Sequence, residues 1–263
     1  MHEQILKALR QLEKEHGCTV LFAAESGSRA WGFASPDSDY DVRAIYMKPE
    51  AWYWDIAEKK RDTFEAMLPG DLDVSAWELR KVLQAFAKGN VTVNEWVGSP
   101  IRYTAHEPFL QQLLALLPMY FNPIRATHHY LALSHHAWTT QNACREITLK
   151  KLFYALRGLF CAMWSVQFKT MPPTRFDDLL LPTLLPAEIL QEVERLKILK
   201  QAGCEAVTTI LAPHVVDFYE HRVRRVNAWV RTLQFTTPST APLGNLLQSM
   251  VHACNATESL IEH

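Results

Sequence analysis

Apolar residues recur at helical spacing at the start of the chain, at Ile5, Leu6, Leu9 and Leu12, and Gly17 is placed to end that helix. The period then changes. Residues 18–24, CTVLFAA, form a short apolar and β-branched run that reads as a buried strand. The next stretch, ESGSRAWGFASPDS (25–38), is rich in turn formers. From 39 to 47 the sequence DYDVRAIYM alternates, which predicts a second strand with Asp39, Asp41 and Arg43 on one face and Tyr40, Val42 and Ala44 on the other. Residues 50–69 carry no clean period beyond a short helix around the Trp52–Trp54 pair. Gly70 opens a third strand at 71–77, and 78–90 is an amphipathic helix with Gly89 as its stop.

Beyond residue 100 the helical period dominates, with helices predicted at 106–117, 123–142, 145–167, 186–201 and 204–235. Pro172, Pro173, Pro182 and Pro186 mark connections between them, 236–244 is a loop, and the last residues form a short, loosely attached helix. The fold class expected is α+β: a small mixed sheet with helices over residues 1–110, followed by an all-helical C-terminal domain over 111–263. Glycine follows the same division, since six of the nine (Gly17, Gly27, Gly32, Gly70, Gly89 and Gly98) fall in the first hundred residues.

Composition narrows the classes. With 263 residues, 48% hydrophobic and 21% charged, the chain is neither a repeat array, nor collagen-like, nor a disordered tail. A net charge of −1 excludes a general polycation, yet residues 1–100 hold 12 Lys+Arg against 16 Asp+Glu (net −4) and residues 101–263 hold 15 against 12 (net +3). That polarity suits an acidic, metal-holding front and a more basic back. The five cysteines are widely spaced with no CxxC, so neither a disulfide framework nor a zinc knuckle is expected. The longest apolar stretch, Leu152–Phe168, contains Arg157 and reads as a buried helix, and the start lacks a signal-peptide core; a cytoplasmic protein without a membrane partner is expected.

The chemistry concentrates between Glu25 and Arg43. Gly27–Ser28 follows a buried strand, and ten residues later comes Asp39-Tyr40-Asp41. Glycine admits close backbone approach to a ligand, a following helix start offers free N–H groups to phosphate oxygens, and Ser28 adds a hydroxyl donor. Aspartates at i and i+2 on a strand put both carboxylates on one side, where they repel unless a cation lies between them. Mg²⁺ is typically held by a few carboxylates plus substrate phosphates. Phosphate cradle and carboxylate pair joined by one short loop point to metal-assisted phosphoryl or nucleotidyl transfer, with Arg43 on the same face to balance triphosphate charge. A two-metal site needs a further carboxylate. Asp73 is the first choice for it, at the start of a neighbouring strand, and Asp71, of the same parity, is the fallback.

The string G-S-x(10)-D-Y-D-V resembles the signature of the DNA polymerase β-type nucleotidyltransferase superfamily. The longer ESGSRAWGFASPDSDYDVRAIYM is similar to one branch of it, the RNA-repair-pathway nucleotidyltransferases (the RlaP, YcgL-like family). Further matches follow in order at Trp77–Lys81 (WELRK), Asn94–Trp96 (NEW), Ser99–Tyr103 (SPIRY) and Lys150–Arg157 (KKLFYALR). The resemblance implies a polymerase β-like nucleotidyltransferase palm. In it Asp39, Asp41 and Asp73 would be catalytic and hold Mg²⁺ or Mn²⁺, and Gly27, Ser28, Arg29 and Arg43 would bind the NTP. It also implies an RNA acceptor and an RNA ligase as partner. Two departures stand outside the motif: Val91 and Gly158 occupy positions where members often carry proline. AMP transfer to a protein or small molecule is the alternative activity, and a non-catalytic, antitoxin-like nucleotide binder the alternative class.

Other residues divide between chemistry and packing. His128, His129, His135 and His136 pair seven apart and read as a surface or partly packed cluster rather than a metal site. Trp31 and Phe33, inside the motif loop, are the better candidates for stacking a base than Trp52, Trp54 or Trp77. Lys150, Lys151 and Arg157 are candidates for acceptor or phosphate binding. The run Arg222, Arg224, Arg225 and Arg231 reads equally as a phosphate-binding wall or a solvated face.

Overall fold

The computed structural model describes residues 1–56, 61–138, 146–203 and 206–258, without the side chains of 254–258. In chain order the first elements are α1 (His2–His16), β1 (Thr19–Glu25), α2 (Gly27–Trp31), β2 (Tyr40–Met47), α3 (Glu50–Trp54), β3 (Thr63–Leu68) and β4 (Leu72–Glu78). Then come α4 (Leu79–Ala87), α5 (Val91–Val97), β5 (Arg102–Ala105), α6 (Glu107–Tyr120), α7 (Pro123–Trp138), β6 (Glu146–Thr148) and α8 (Leu149–Phe168). The last are α9 (Ala187–Ala202), β7 (Thr208–Ile210), α10 (Pro213–Val230) and α11 (Ala241–Glu258). By internal contacts the described residues form two compact units. One holds Met1–Gly27, Asp39–Tyr120 and Thr237–His263; the other holds Ser28–Ser38 and Phe121–Thr236.

The first unit is a five-stranded mixed sheet in the order β3-β4-β2-β1-β5. Only β2 and β4 run parallel; β1–β2, β1–β5 and β3–β4 are antiparallel. Alternation assigns the faces. On one, Val42, Ala44 and Tyr46 of β2 and Leu72, Val74 and Ala76 of β4 pack with Ile5 and Leu9 of α1. On the other, Ile45 and Met47 join Leu79, Val82 and Phe86 of α4, Phe109 and Leu113 of α6, and Leu243, Leu246 and Met250 of α11. Local signals start and stop these helices. Gly17 at φ 51° closes α1 onto the Glu13 carbonyl. The Glu78 carboxylate accepts from the Lys81 N–H to cap α4, and Asn90 Oδ1 accepts from the Thr92 N–H to cap α5. Val91 is thus the first residue of α5, a position where proline is equally well placed.

The second unit is helical apart from a two-stranded antiparallel ribbon of β6 and β7. Its centre is the α7–α8 pair. A Cβ at Gly158 would lie 2.8 Å from the Tyr130 carbonyl oxygen and 2.9 Å from Ser134 Cβ, so only glycine lets the two helices approach so closely. Ser134 Oγ spans the same contact, bonding the Ala155 carbonyl at 2.7 Å. Phe33, Phe153 and Phe176 fill the adjoining core, their rings 5.3–5.4 Å apart.

Several elements differ from the periodic reading. β3 lies in the stretch without a clean period, and β5 is too short, at four residues, to show one. Of the helices expected over 145–167 and 204–235, positions 145 and 204–205 lie outside the described residues; 146–148 and 208–210 pair as strands, and helices begin at Leu149 and Pro213. Residues 111–120 and the C-terminal helix pack with the sheet, and 28–38 pack with the helical unit. Of the five cysteines, Cys18 and Cys161 are in no disulfide, while the side chains of Cys144, Cys204 and Cys254 lie outside the described residues. Burial pushes the Cys18 thiol up to about 11. Among the described residues no helix is long and apolar enough to cross a membrane.

The C-terminal helix is the main correction. α11 runs for 18 residues, its Leu243, Leu246, Met250 and Val251 are buried in the sheet unit's core, and Tyr120 Oη donates to the Ser239 carbonyl just before it. Leu246→Ala is therefore expected to destabilise the protein by about 2–4 kcal/mol, as for other buried leucines. Urea unfolding of parent and variant measures it; an unchanged midpoint would mean that α11 is dispensable to the core.

Candidate active site

The site begins where β1 ends. Ser26 N–H donates to the Asp41 carbonyl at 2.7 Å, which ties the turn after β1 to the start of β2. Gly27 follows at φ +61°, and a Cβ built on it would lie 2.1 Å from Asp41 Oδ2. The Asp41 carboxylate thus occupies the space that any side chain at position 27 would need. Here the glycine is required twice, by its left-handed backbone and by the close approach.

The parallel register sets Asp41 directly opposite Asp73 and Arg43 opposite Ser75. Asp41 and Asp73 therefore project from neighbouring strands on the same face. Arg43, two residues along β2, returns between them: its Nη2 donates to Asp41 Oδ1 at 2.9 Å and to Asp73 Oδ2 at 2.8 Å. Nη1 reaches the carbonyls of Val42 and Asp73 at 3.1 and 3.4 Å. One guanidinium thus offsets two half-buried carboxylates. Both acids keep part of their surface open to solvent, whereas Ile45 and Met47 further along the same face are fully covered.

A third carboxylate lies behind the pair. Glu25, the last residue of β1, is 1% exposed. Its Oε1 accepts the Asp41 N–H at 2.8 Å, and its Oε2 accepts the Tyr103 hydroxyl of β5. Glu25 fixes the backbone that carries Asp41. A lone acid closing an otherwise apolar strand was its signal in the sequence; Tyr103 had none beyond its place in the SPIRY string.

The other expected residues separate. Asp39 is exposed and immediately precedes the first paired residue of β2. Among the described residues no three His, Cys, Asp or Glu side chains come together as a metal-holding group, so Asp39 does not close a triad with the other two. Asp71 sits at the β3–β4 corner at φ 55°, next to Gly70 at φ 86°; its carbonyl accepts the Tyr40 N–H at 2.8 Å, and it is Asp73 that faces Asp41. Ser28 is buried, and its carbonyl accepts from the N–H groups of Gly32 and Phe33, both at 3.1 Å. Arg29 donates to the Ser38 carbonyl at 2.6 Å, clasping the loop that leads to Asp39.

That loop is anchored within the helical unit. Arg157 is 4% exposed and its guanidinium lies 4.1 Å from the centre of the Trp31 ring, with Tyr154 edge-on at 4.9 Å. Phe33 is fully buried among Phe153 and Phe176, so it fills the core and is not available to stack a base. The buried Lys200 donates from Nζ to Ser35 Oγ at 2.8 Å, a contact that no sequence signal marked. Lys150 and Lys151 open α8, and the Lys151 N–H donates to the Thr148 Oγ1 cap at 3.3 Å. The four histidines of α7 are exposed, as expected of a surface cluster.

Sheet, Gly-Ser turn and opposed aspartates, together with the family match, define a polymerase β-like nucleotidyltransferase, an enzyme. The chain belongs to the RlaP family, the RNA repair pathway DNA polymerase beta family, which it matches over residues 1–248. It is 34% identical over 252 residues to YcgL of Bacillus subtilis (strain 168), described as an uncharacterized protein, covering 95% of this chain and 96% of that one. Among solved structures it resembles a nucleotidyltransferase-like protein from Exiguobacterium sibiricum 255-15 at 14% identity and a TM-score of 0.29, covering 92% of this chain and 74% of that one.

Gly27→Ala is expected to displace the Asp41 carboxylate and to lower stability by about 1–3 kcal/mol, the usual cost of a non-glycine residue held in strained backbone. Thermal unfolding gives the cost, and a crystal structure of the variant gives the displacement. An Asp41 carboxylate left in place at unchanged stability would refute the packing role of Gly27.

Proposed function

We propose that this chain transfers a nucleoside monophosphate from an NTP to a hydroxyl group of an RNA acceptor, acting on damaged or cleaved ends in the cytoplasm and preparing them for an RNA ligase. The observation that carries this reading is the opposed pair: Asp41 and Asp73 share one Arg43 nitrogen beside the Gly27 turn. Hard oxygen donors on adjacent strands, already arranged about a positive charge, fit Mg²⁺ or Mn²⁺. Asp41 and Asp73 would hold the ion, with triphosphate oxygens completing the shell. When bound, the ion supplies neutralising charge to the attacking and leaving oxygens.

The protein's own residues do the rest. Gly27 keeps the turn tight against the Asp41 carboxylate beside which the triphosphate would lie, and Ser28 and Arg29 follow it as donors. Arg43 exchanges its carboxylate partners for phosphate charge as substrate enters. The acceptor hydroxyl gives up its proton to solvent and its oxygen attacks the α-phosphorus; a new O–P bond forms, the α–β bridging P–O bond breaks and pyrophosphate leaves. Glu25 keeps the Asp41 backbone fixed through this exchange. The sheet unit supplies the catalysis in this reading, and the helical unit, with Lys150 and Lys151 at the start of α8, the acceptor binding.

Incubation with each α-labelled NTP, Mg²⁺ or Mn²⁺ and a pool of cellular RNA and protein is expected to put label on RNA. Asp41→Asn and Asp73→Asn should each lower the rate by at least about a hundredfold. Label on polypeptide would replace RNA with a protein acceptor, and transfer undiminished in both variants would refute the site.

Arg43→Gln separates the metal assignment from the chemistry. Without the guanidinium the paired carboxylates need another cation, so millimolar Mn²⁺ should raise the melting temperature of the variant more than that of the parent. Equal shifts would show that the pair takes no divalent ion.

A further inference from the structure

On α10, Arg222 and Arg225 lie one turn apart and, with Trp229 one turn further on, line one side of a pocket of about 280 Å³. Gln167 at the end of α8 and Thr183 in the following connection face them, over an apolar floor that includes Met163. All of these residues belong to the helical unit. The pocket has donors on both sides and no carboxylate among its lining residues.

The two arginines are unlike their neighbour. Arg224 points to Glu220 at 3.8 Å. Among the described residues neither Arg222 nor Arg225 has an ion pair or a hydrogen bond; Arg222 rests over the Phe218 ring at 5.4 Å. Burial, and then the charge of Arg225, hold the Arg222 guanidinium below its ordinary pKa. Two cations held side by side, one of them half-buried, are stabilised by an anion that bonds both, and a guanidinium fork matches phosphate oxygens in pairs. Trp229, 37% exposed at the mouth, offers a ring face beside that anion.

We propose that this pocket is a binding site for a phosphate group carried next to a nucleobase, the phosphate held by Arg222 and Arg225 and the base stacked on Trp229. Gln167 and Thr183 supply the neutral donors. The same chemistry occurs in a single-stranded RNA and in a free mononucleotide, and the test distinguishes the two. The site shares no residue with the opposed aspartates and does not rest on the transfer reaction.

Binding is read with the full chain, without NTP and with a chelator present, as fluorescence anisotropy of a short labelled single-stranded RNA, with AMP and inorganic phosphate as competitors. Arg222→Gln and Arg225→Gln should each weaken RNA binding about five- to tenfold. Each should also reduce the slope of log affinity against log salt by about 0.7. Arg224→Gln should change neither by more than about twofold, and Trp229→Leu should remove the advantage of AMP over inorganic phosphate. Displacement of the RNA by AMP identifies a mononucleotide site, and displacement by unlabelled RNA alone identifies a strand. Arg225 is exposed, so its variant folds and carries the test even where Arg222→Gln does not. The proposal is overturned if Arg225→Gln binds RNA like the parent, if Arg224→Gln costs as much as Arg225→Gln, or if inorganic phosphate displaces the RNA as readily as AMP does.

Discussion

Two carboxylates set opposite each other on adjacent strands repel, and a fold that holds them there must supply a positive charge or leave room for one. In this protein the parallel pairing of β2 with β4 creates that situation, because its register sets Asp41 directly opposite Asp73. Sliding one strand by a single residue would turn Asp73 to the opposite face and bring Leu72 or Val74 among polar groups. The hydrophobic contacts of Leu72 and Val74 with α1 forbid the slip. The core on one face of the sheet thereby sets the electrostatics of the other, and Arg43, the next residue of the same parity on β2, is the charge that answers them.

The same face changes character along its length. At the far end Ile45 and Met47 are sealed beneath α4, α6 and α11, while Asp41 and Asp73 at the near end stay partly open to water. Half-burial matters to both parts of the chemistry. Full exposure would screen the Arg43 pairs to little value, and full burial would impose a desolvation cost that one guanidinium does not meet for two acids. In between, the charges interact strongly enough to be ordered and remain reachable by another cation or a phosphate.

Much of this was legible in the sequence, for physical reasons that can be named. The alternation of Asp39 through Arg43 placed Asp41 and Arg43 on one face because a strand has a strict period of two, and Gly27 was marked by its place between a buried strand and the acids. The identity of the opposing acid was harder, since Asp71 and Asp73 share parity and only the register separates them. Register depends on which strands pair, and neither the parallel β2–β4 match nor the edge strand β3 leaves a local trace. Glu25 escaped notice because its partners, the Asp41 N–H and the Tyr103 hydroxyl, lie 16 and 78 residues away. Phe33 shows the converse: an aromatic in a turn-rich motif has the local signature of a ligand-stacking residue, and its burial is set by Phe153 and Phe176, more than a hundred residues away.

The ten-residue interval between Ser28 and Asp39 also has a structural explanation. A turn joining β1 directly to β2 needs far fewer residues, since antiparallel neighbours can be linked by two. The intervening loop instead enters the core of the helical unit, where Phe33 is buried, Trp31 lies under Arg157 and Ser35 bonds the buried Lys200. Its ends are Gly27, against the Asp41 carboxylate, and Asp39, at the threshold of β2. An excursion fastened by a filled aromatic core and a buried lysine is held along its length within the helical unit. The spacing that identifies the motif is thus the length of chain needed to fasten that loop, and residues far from it in sequence, Lys200 above all, belong to the packing that holds it.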